Sequence, residues 1–205
     1  LSDENQALDR ELMRILGLFD RPAPWGALLA LQTTEPPIAQ LTERLYAADA
    51  TALSESLARL VQWGILQADL AAPMPELDSH PLVREHFATC LAKDAPASWR
   101  HAHRVLFEWF CQQPEKHQPD TQEELEPLYR AVRHGCLADL YQETLDVYRK
   151  RILRGTGLGG NYSTKKLGAI GADLEAVAGF FVEPWQRLVP GLSVGDQAWL
   201  LNEAA

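Results

Sequence analysis

Leu8, Leu12, Ile15, Leu16 and Phe19 recur at the spacing of one helix face, so the chain opens on an amphipathic helix over Glu4–Phe19. Asp20-Arg-Pro-Ala-Pro24 ends it, because neither proline can continue the hydrogen-bond ladder. Trp25–Leu31 predicts a short second helix, with Pro24 suited to its first turn. After the Pro36-Pro37 break, Ile38, Leu41, Leu45 and Tyr46 form a third helical stripe. Thr51–Trp63 predicts a fourth helix: Thr51 caps it, Leu53, Leu57, Leu60 and Val61 face the core, and Gly64 closes it. The pattern then shortens. Ile65–Leu70 and Glu76–Ser79 predict two strands around a turn at Ala71–Pro75, and His80–Leu91 opens another helix with Pro81 in its first turn.

From Ala95 onward the pattern is helical only. Pro96–Gln113 is amphipathic, with Trp99, Val105, Leu106, Trp109 and Phe110 as core candidates. Thr121-Gln-Glu-Glu124 has the form of a capping box that opens a helix toward Cys136. Gly135 is the expected turn into an antiparallel partner over Leu137–Leu153. The Gly155–Gly160 loop leads to a helix over Ser163–Phe181, and Ser193 caps the last helix. Helical hairpins with small residues near their turns resemble tetratricopeptide-type packing, without a clean repeat of about 34 residues.

Composition narrows the class. Hydrophobic residues are 46% and charged residues 23% of 205, which is globular rather than disordered or low-complexity. No apolar run is long enough for a membrane span, and the acidic start does not resemble a signal peptide. The net charge of −9 argues against general nucleic-acid binding. Residues 1–95 carry −7 of it and residues 96–205 carry −2. The cysteines Cys90, Cys111 and Cys136 are odd in number and widely spaced, so neither a zinc ribbon nor a disulfide framework is indicated; a reducing, cytoplasmic compartment fits best. The chain begins without Met and ends on a helical run with no stop signal, which predicts a segment of a longer polypeptide.

Candidate chemistry is sparse. A phosphate loop needs a strand before it and a helix N-terminus after it; a basic helix precedes Gly155–Gly160, and no Gly-Lys-Ser/Thr follows. Arg149, Lys150, Arg151, Arg154, Lys165 and Lys166 form a basic cluster. It is a candidate anion or partner patch, although cations at a helix C-terminus also favour the helix dipole, and an intramolecular acidic surface would use them equally. His101 and His103 are two apart and diverge on a helix; His80 to His86 and His134-Gly-Cys136 offer no convergent metal set. No catalytic constellation is present, so no enzyme activity is assigned to the chain itself.

Helices, a hairpin after a Gly-ended helix, then a further helix is an order that resembles a winged helix, the hairpin being the wing. Its recognition helix would be Thr51–Trp63, whose polar positions Ser54, Glu55, Ser56, Arg59 and Gln62 include one base, too few to neutralise several phosphates. A DNA-reading regulator through Thr51–Trp63 is therefore the second alternative, and an independent enzyme activity is supported less still. Leu77-Asp-Ser-His80-Pro-Leu-Val-Arg-Glu-His-Phe87 resembles the end of the winged-helix domain in STAND-class signalling NTPases of the NB-ARC and NACHT types, where a strand runs into a Met-His-Asp-like motif and then a helix. Leu12–Asp20 resembles the opening helix of that domain and Leu53–Leu66 the helix before its wing. Leu125–Cys136, Lys165–Leu174 and Asp196–Ala205 resemble the helical region that joins the winged helix to tetratricopeptide repeats in bacterial members.

The resemblance implies a mainly α chain: a winged-helix domain with a small β-hairpin wing over 1–94, then an α-helical, tetratricopeptide-like arm over 95–205. It implies that His80 matches the motif histidine that contacts the ADP β-phosphate in the closed state, with Ser79 replacing the usual Met and Pro81 the usual Asp. No cofactor is expected in the chain itself; ADP or ATP would be held by an upstream nucleotide-binding domain. The expected partners are that domain, downstream repeats of the same chain and a protein ligand, with oligomerisation on activation. A non-enzymatic interaction scaffold is the alternative reading.

Overall fold

The computed structural model describes residues 3–155 and 160–204, and the side chains of 6–155 and 160–204. The chain is mainly helical with small antiparallel sheets. Among the described residues no helix is long and apolar enough to cross a membrane. Two units divide at Val105/Leu106, further along than the expected 94/95 boundary and inside a helix.

In the first unit, α1 (Asp3–Leu16) buries Leu8, Leu12, Ile15 and Leu16 as its periodicity predicts, and Phe19 follows them into the core. Ala23–Pro24 is a two-residue strand, β1, so Pro24 is the extended residue before α2 (Trp25–Gln32) and lies outside its first turn. The third stripe is mostly turn: α3 covers only Glu43–Ala47, and Tyr46 is exposed. Its ends are closed by side chains from elsewhere. Glu11 accepts from the Arg44 and Leu45 N–H groups at 2.9 and 3.0 Å, while Gln32 donates to the Leu45 and Ala48 carbonyls. Burial raises the Glu11 pKa, and the two backbone donors oppose that rise.

Helix α4 (Ala50–Gln62) is capped by Asp49, not Thr51: the Asp49 carboxylate accepts from Ala52 N–H at 2.8 Å. Asp49 sits at the true N-cap, one residue before the helix, with its oxygen placed for the third amide. Gly64 (φ 69°) ends the helix in the left-handed conformation that glycine tolerates. Of the two strands that follow, β2 at Leu66–Gln67 is shorter than the expected Ile65–Leu70, while β3 covers Glu76–Ser79 as expected. They pair antiparallel, Leu66 with Ser79, and β1 pairs on the other side of β3, giving the order β1-β3-β2. Helix α5 (Pro81–Asp94) packs on α1, and α6 spans Pro96–Cys111.

The second unit departs further from expectation. The Thr121–Glu124 segment does not start the helix: a 3-10 turn at Glu123–Leu125 precedes α7 (Glu126–Leu137), and Glu124 accepts from Asp120 N–H at 2.6 Å. Gly135 lies within α7, the turn falling at Asp139 (φ 60°). The partner helix is two segments, α8 (Tyr141–Val147) and a wider π turn over Tyr148–Ile152, in which Leu153 N–H bonds Tyr148 O. The expected Ser163–Phe181 helix is broken by Gly168 (φ 66°) into α9 (Tyr162–Leu167) and α10 (Ile170–Ala178). A small hairpin follows, β4 (Phe181–Glu183) and β5 (Arg187–Leu188), so the region after Ala95 is not purely helical. Ser193 caps α11 (Val194–Glu203) as predicted, accepting from Asp196 N–H at 3.1 Å.

Gly135 has a packing role. A Cβ there would lie 2.0 Å from Thr144 Oγ1 and 2.9 Å from the Phe107 ring. Gly135→Ala is expected to cost about 1–2 kcal/mol by forcing α7 and α8 apart. Thr144→Ala in the same chain should recover part of that loss in a urea-denaturation double-mutant cycle; strict additivity would show that the two residues do not touch.

Candidate functional site

The sequence-predicted site residue His80 stands at the junction of β3 and α5. Its neighbours are pinned. Ser79 is buried and donates through Oγ to Ile65 O at 2.9 Å, tying the end of β3 to the chain leaving α4. Asp78 accepts from Ser79 N–H at 2.8 Å and from Arg84 at 2.6 Å. Pro81 fills the first position of α5, where its missing N–H costs nothing. Ser79 and Pro81, where the sequence departs from the Met-His-Asp-like motif it resembles, therefore each have a local structural use.

His80 is exposed and is the N-cap of α5. Its Nδ1 accepts from Leu82 N–H at 3.3 Å, and its carbonyl accepts from Val83 and Arg84 N–H. An accepting Nδ1 assigns the proton of the neutral ring to Nε2. The ring is thus oriented by its own helix, with an N–H donor on the far side.

The same helix carries a histidine–cysteine pair that histidine spacing alone does not disclose. His86 and Cys90 are four residues apart, with Nε2 and Sγ at 3.8 Å, and His86 is exposed. The i, i+4 spacing was legible and needed only a cysteine as the second ligand. His103, by contrast, is buried edge-on against Trp99, and His134 is buried in a stack on Phe110. Cys136 is buried too, which pushes its thiol pKa well up. Among the described residues no group of three or more His, Cys, Asp or Glu converges as a metal set.

Of the basic cluster, five members meet carboxylates within the second unit. Arg149 pairs with Asp196 and stacks over Trp199 at 4.1 Å, holding the Asp196 carboxyl below the usual carboxylate range. Lys150 meets Asp146 at 2.7 Å. Arg151 and Arg154 share Glu115 at 2.8 and 3.1 Å, and Lys166 reaches Asp120 at 3.3 Å. Lys165 is exposed on α9. These contacts fasten the Glu115–Asp120 connection to the π turn and α9. The Gly155–Gly160 loop falls largely on residues 156–159, which lie outside the described residues.

On α4, Ser56 is buried and donates to Asp9, while Arg59 grips Asp9 through Nε (3.1 Å) and Nη2 (2.7 Å). The one base of this helix is thereby spent on α1, and Glu55 is left as the charge on its exposed face. That face presents no base to neutralise phosphates. In the second unit an open cleft of about 630 Å³ is lined by Val182, Arg187, Leu188, Val189, Gln197 and Leu201. Its one charged lining residue, Arg187, pairs with Glu183 at 2.9 Å.

Comparison with protein-family models, with curated proteins and with solved structures finds no match to this chain.

Proposed function

We propose that this chain is a coupling segment of a STAND-type signalling NTPase: a winged helix followed by a tetratricopeptide-like arm that relays recognition by downstream repeats to an upstream ADP/ATP switch. The order α1-β1-α2-α3-α4-β2-β3 with β3 central in its small sheet supports the winged-helix part. The spent base on α4 favours a protein-facing rather than a DNA-facing use of it. For the arm, the support is the α7–α8 helical hairpin, packed closely at Gly135, and an apolar cleft beside α11, where the exposed Leu201 offers a surface to a following helix. Partners on this reading are the nucleotide-binding domain and repeats of the same polypeptide, in the cytoplasm.

The observation that carries the reading is His80, exposed, capped into one orientation and presenting Nε2–H outward. Such a donor suits a β-phosphate held across a domain interface, because the contact vanishes when the domains part. In the intact protein His80→Ala should speed ADP release by roughly 10–100-fold, the worth of one hydrogen bond to a charged group, and raise basal activity. His80→Ser separates this from helix capping, since serine keeps the cap and loses the reach. Unchanged ADP release in both variants overturns the latch.

A further inference from the structure

We propose that His86 and Cys90 on α5 form a chelating pair for a thiophilic divalent cation, Zn²⁺ in the first instance. The pair belongs to one helix, so its spacing is set by the backbone and not by a loop that must close around the ion. Residues four apart stand one turn above each other on the same face. Zinc takes imidazole nitrogen at about 2.0–2.1 Å and thiolate sulfur at about 2.3 Å, which at a tetrahedral angle places the two ligand atoms about 3.6 Å apart. The observed Nε2···Sγ distance is 3.8 Å. On binding, the ion takes the neutral imidazole through Nε2, and the thiol releases its proton to solvent as the Zn–S bond forms.

Access and orientation agree with this. His86 is exposed and Cys90 half-buried, so an ion reaches both from solvent and keeps water on its remaining positions. Phe87 packs edge-on against the His86 ring at 5.4 Å, which limits the ring's swing. Among the described residues no third ligand joins the pair. The site is therefore an open one, with two protein ligands and two positions left for water. Cys136 differs in being buried within the second unit.

The test is a Co²⁺ titration of the untagged, reduced, metal-free chain. Wild type should develop the near-ultraviolet thiolate-to-cobalt charge-transfer band, and Zn²⁺ should displace it. Cys90→Ser should abolish the band, His86→Ala should weaken binding at least about tenfold, and Cys111→Ser and Cys136→Ser should retain it. Far-UV circular dichroism checks that each variant is folded; His86 is exposed, so its substitution leaves the core intact. A band that persists in Cys90→Ser, or unchanged affinity in His86→Ala, overturns the proposal. Neither result bears on ADP release, so this inference and the latch stand or fall separately.

Discussion

Replacing Gly17 by alanine is expected to destabilise the first unit by about 2–3 kcal/mol, the upper part of the range for overpacking. Gly17 follows the last residue of α1, and its N–H still bonds Met13 O at 3.1 Å. A Cβ there would meet Ala88 N at 2.7 Å and Phe87 C at 3.0 Å. Both are backbone atoms of α5, so no side chain can turn aside; α1 and α5 must separate along their whole contact. The change should lower the urea midpoint and speed amide exchange in α5, whose residues 87 and 88 lie two turns beyond His80. An unchanged midpoint would mean that the two helices do not approach this closely. On the proposed function the same displacement moves His80, so Gly17→Ala would also loosen nucleotide control without touching the imidazole.

The contrast between Gly17, Gly135 and Gly168 explains much of what the sequence did and did not disclose. A glycine can end a helix, let two backbones meet or supply a positive φ, and one letter does not say which. Gly64 and Gly168 are positive-φ positions. Gly135 looked like a turn and proved to be the point where Thr144 comes down on α7. Periodicity located α1 and α4 because each buries one face over several turns. It could not locate β1, whose two residues contain no period, nor the π turn at Tyr148–Ile152, which keeps an apolar face while widening the hydrogen-bond ring. The position of His80 was legible as a strand–helix junction, but its exposure and the hydrogen bond from Leu82 N–H to its Nδ1 are properties of the folded chain. The basic cluster was legible as a charge run. Its partners Glu115, Asp120 and Asp196 lie 30 to 50 residues away from the bases they meet, beyond the reach of local pattern.

Asp173→Ala is expected to have the largest effect in the second unit, a loss of about 3–4 kcal/mol, because it strands several hydroxyls in the core at once. Asp173 is buried, 5% exposed, on α10. It accepts from Tyr129 Oη of α7 at 2.9 Å and from Ser163 Oγ of α9 at 2.7 Å, and the Tyr148 hydroxyl of the π turn also bonds it. Burial is the main cause that raises its pKa above the ordinary aspartate value, and the three hydroxyl donors oppose it. Burial, with the nearby Asp173 charge, also raises the Tyr129 and Tyr148 pKa values, so both stay protonated as donors. Glu203 of α11 is raised as well, first by burial and then by Asp173.

The sign of the pH dependence follows from that raised value. An aspartate whose folded pKa exceeds its unfolded one, about 3.9, favours the folded state fully below that unfolded pKa. The contribution fades as pH rises through the folded pKa, where the buried carboxyl ionises. Asp173→Asn keeps an acceptor for the hydroxyls and cannot ionise. The stability of wild type relative to Asp173→Asn should therefore be greatest near pH 4 and fall toward neutrality. Urea-denaturation midpoints of wild type, Asp173→Asn and Asp173→Ala across that range measure both effects together. A wild-type advantage that grows with pH would show that the three hydroxyl donors outweigh burial at Asp173; an Asp173→Ala chain as stable as wild type would show that they do not converge on it.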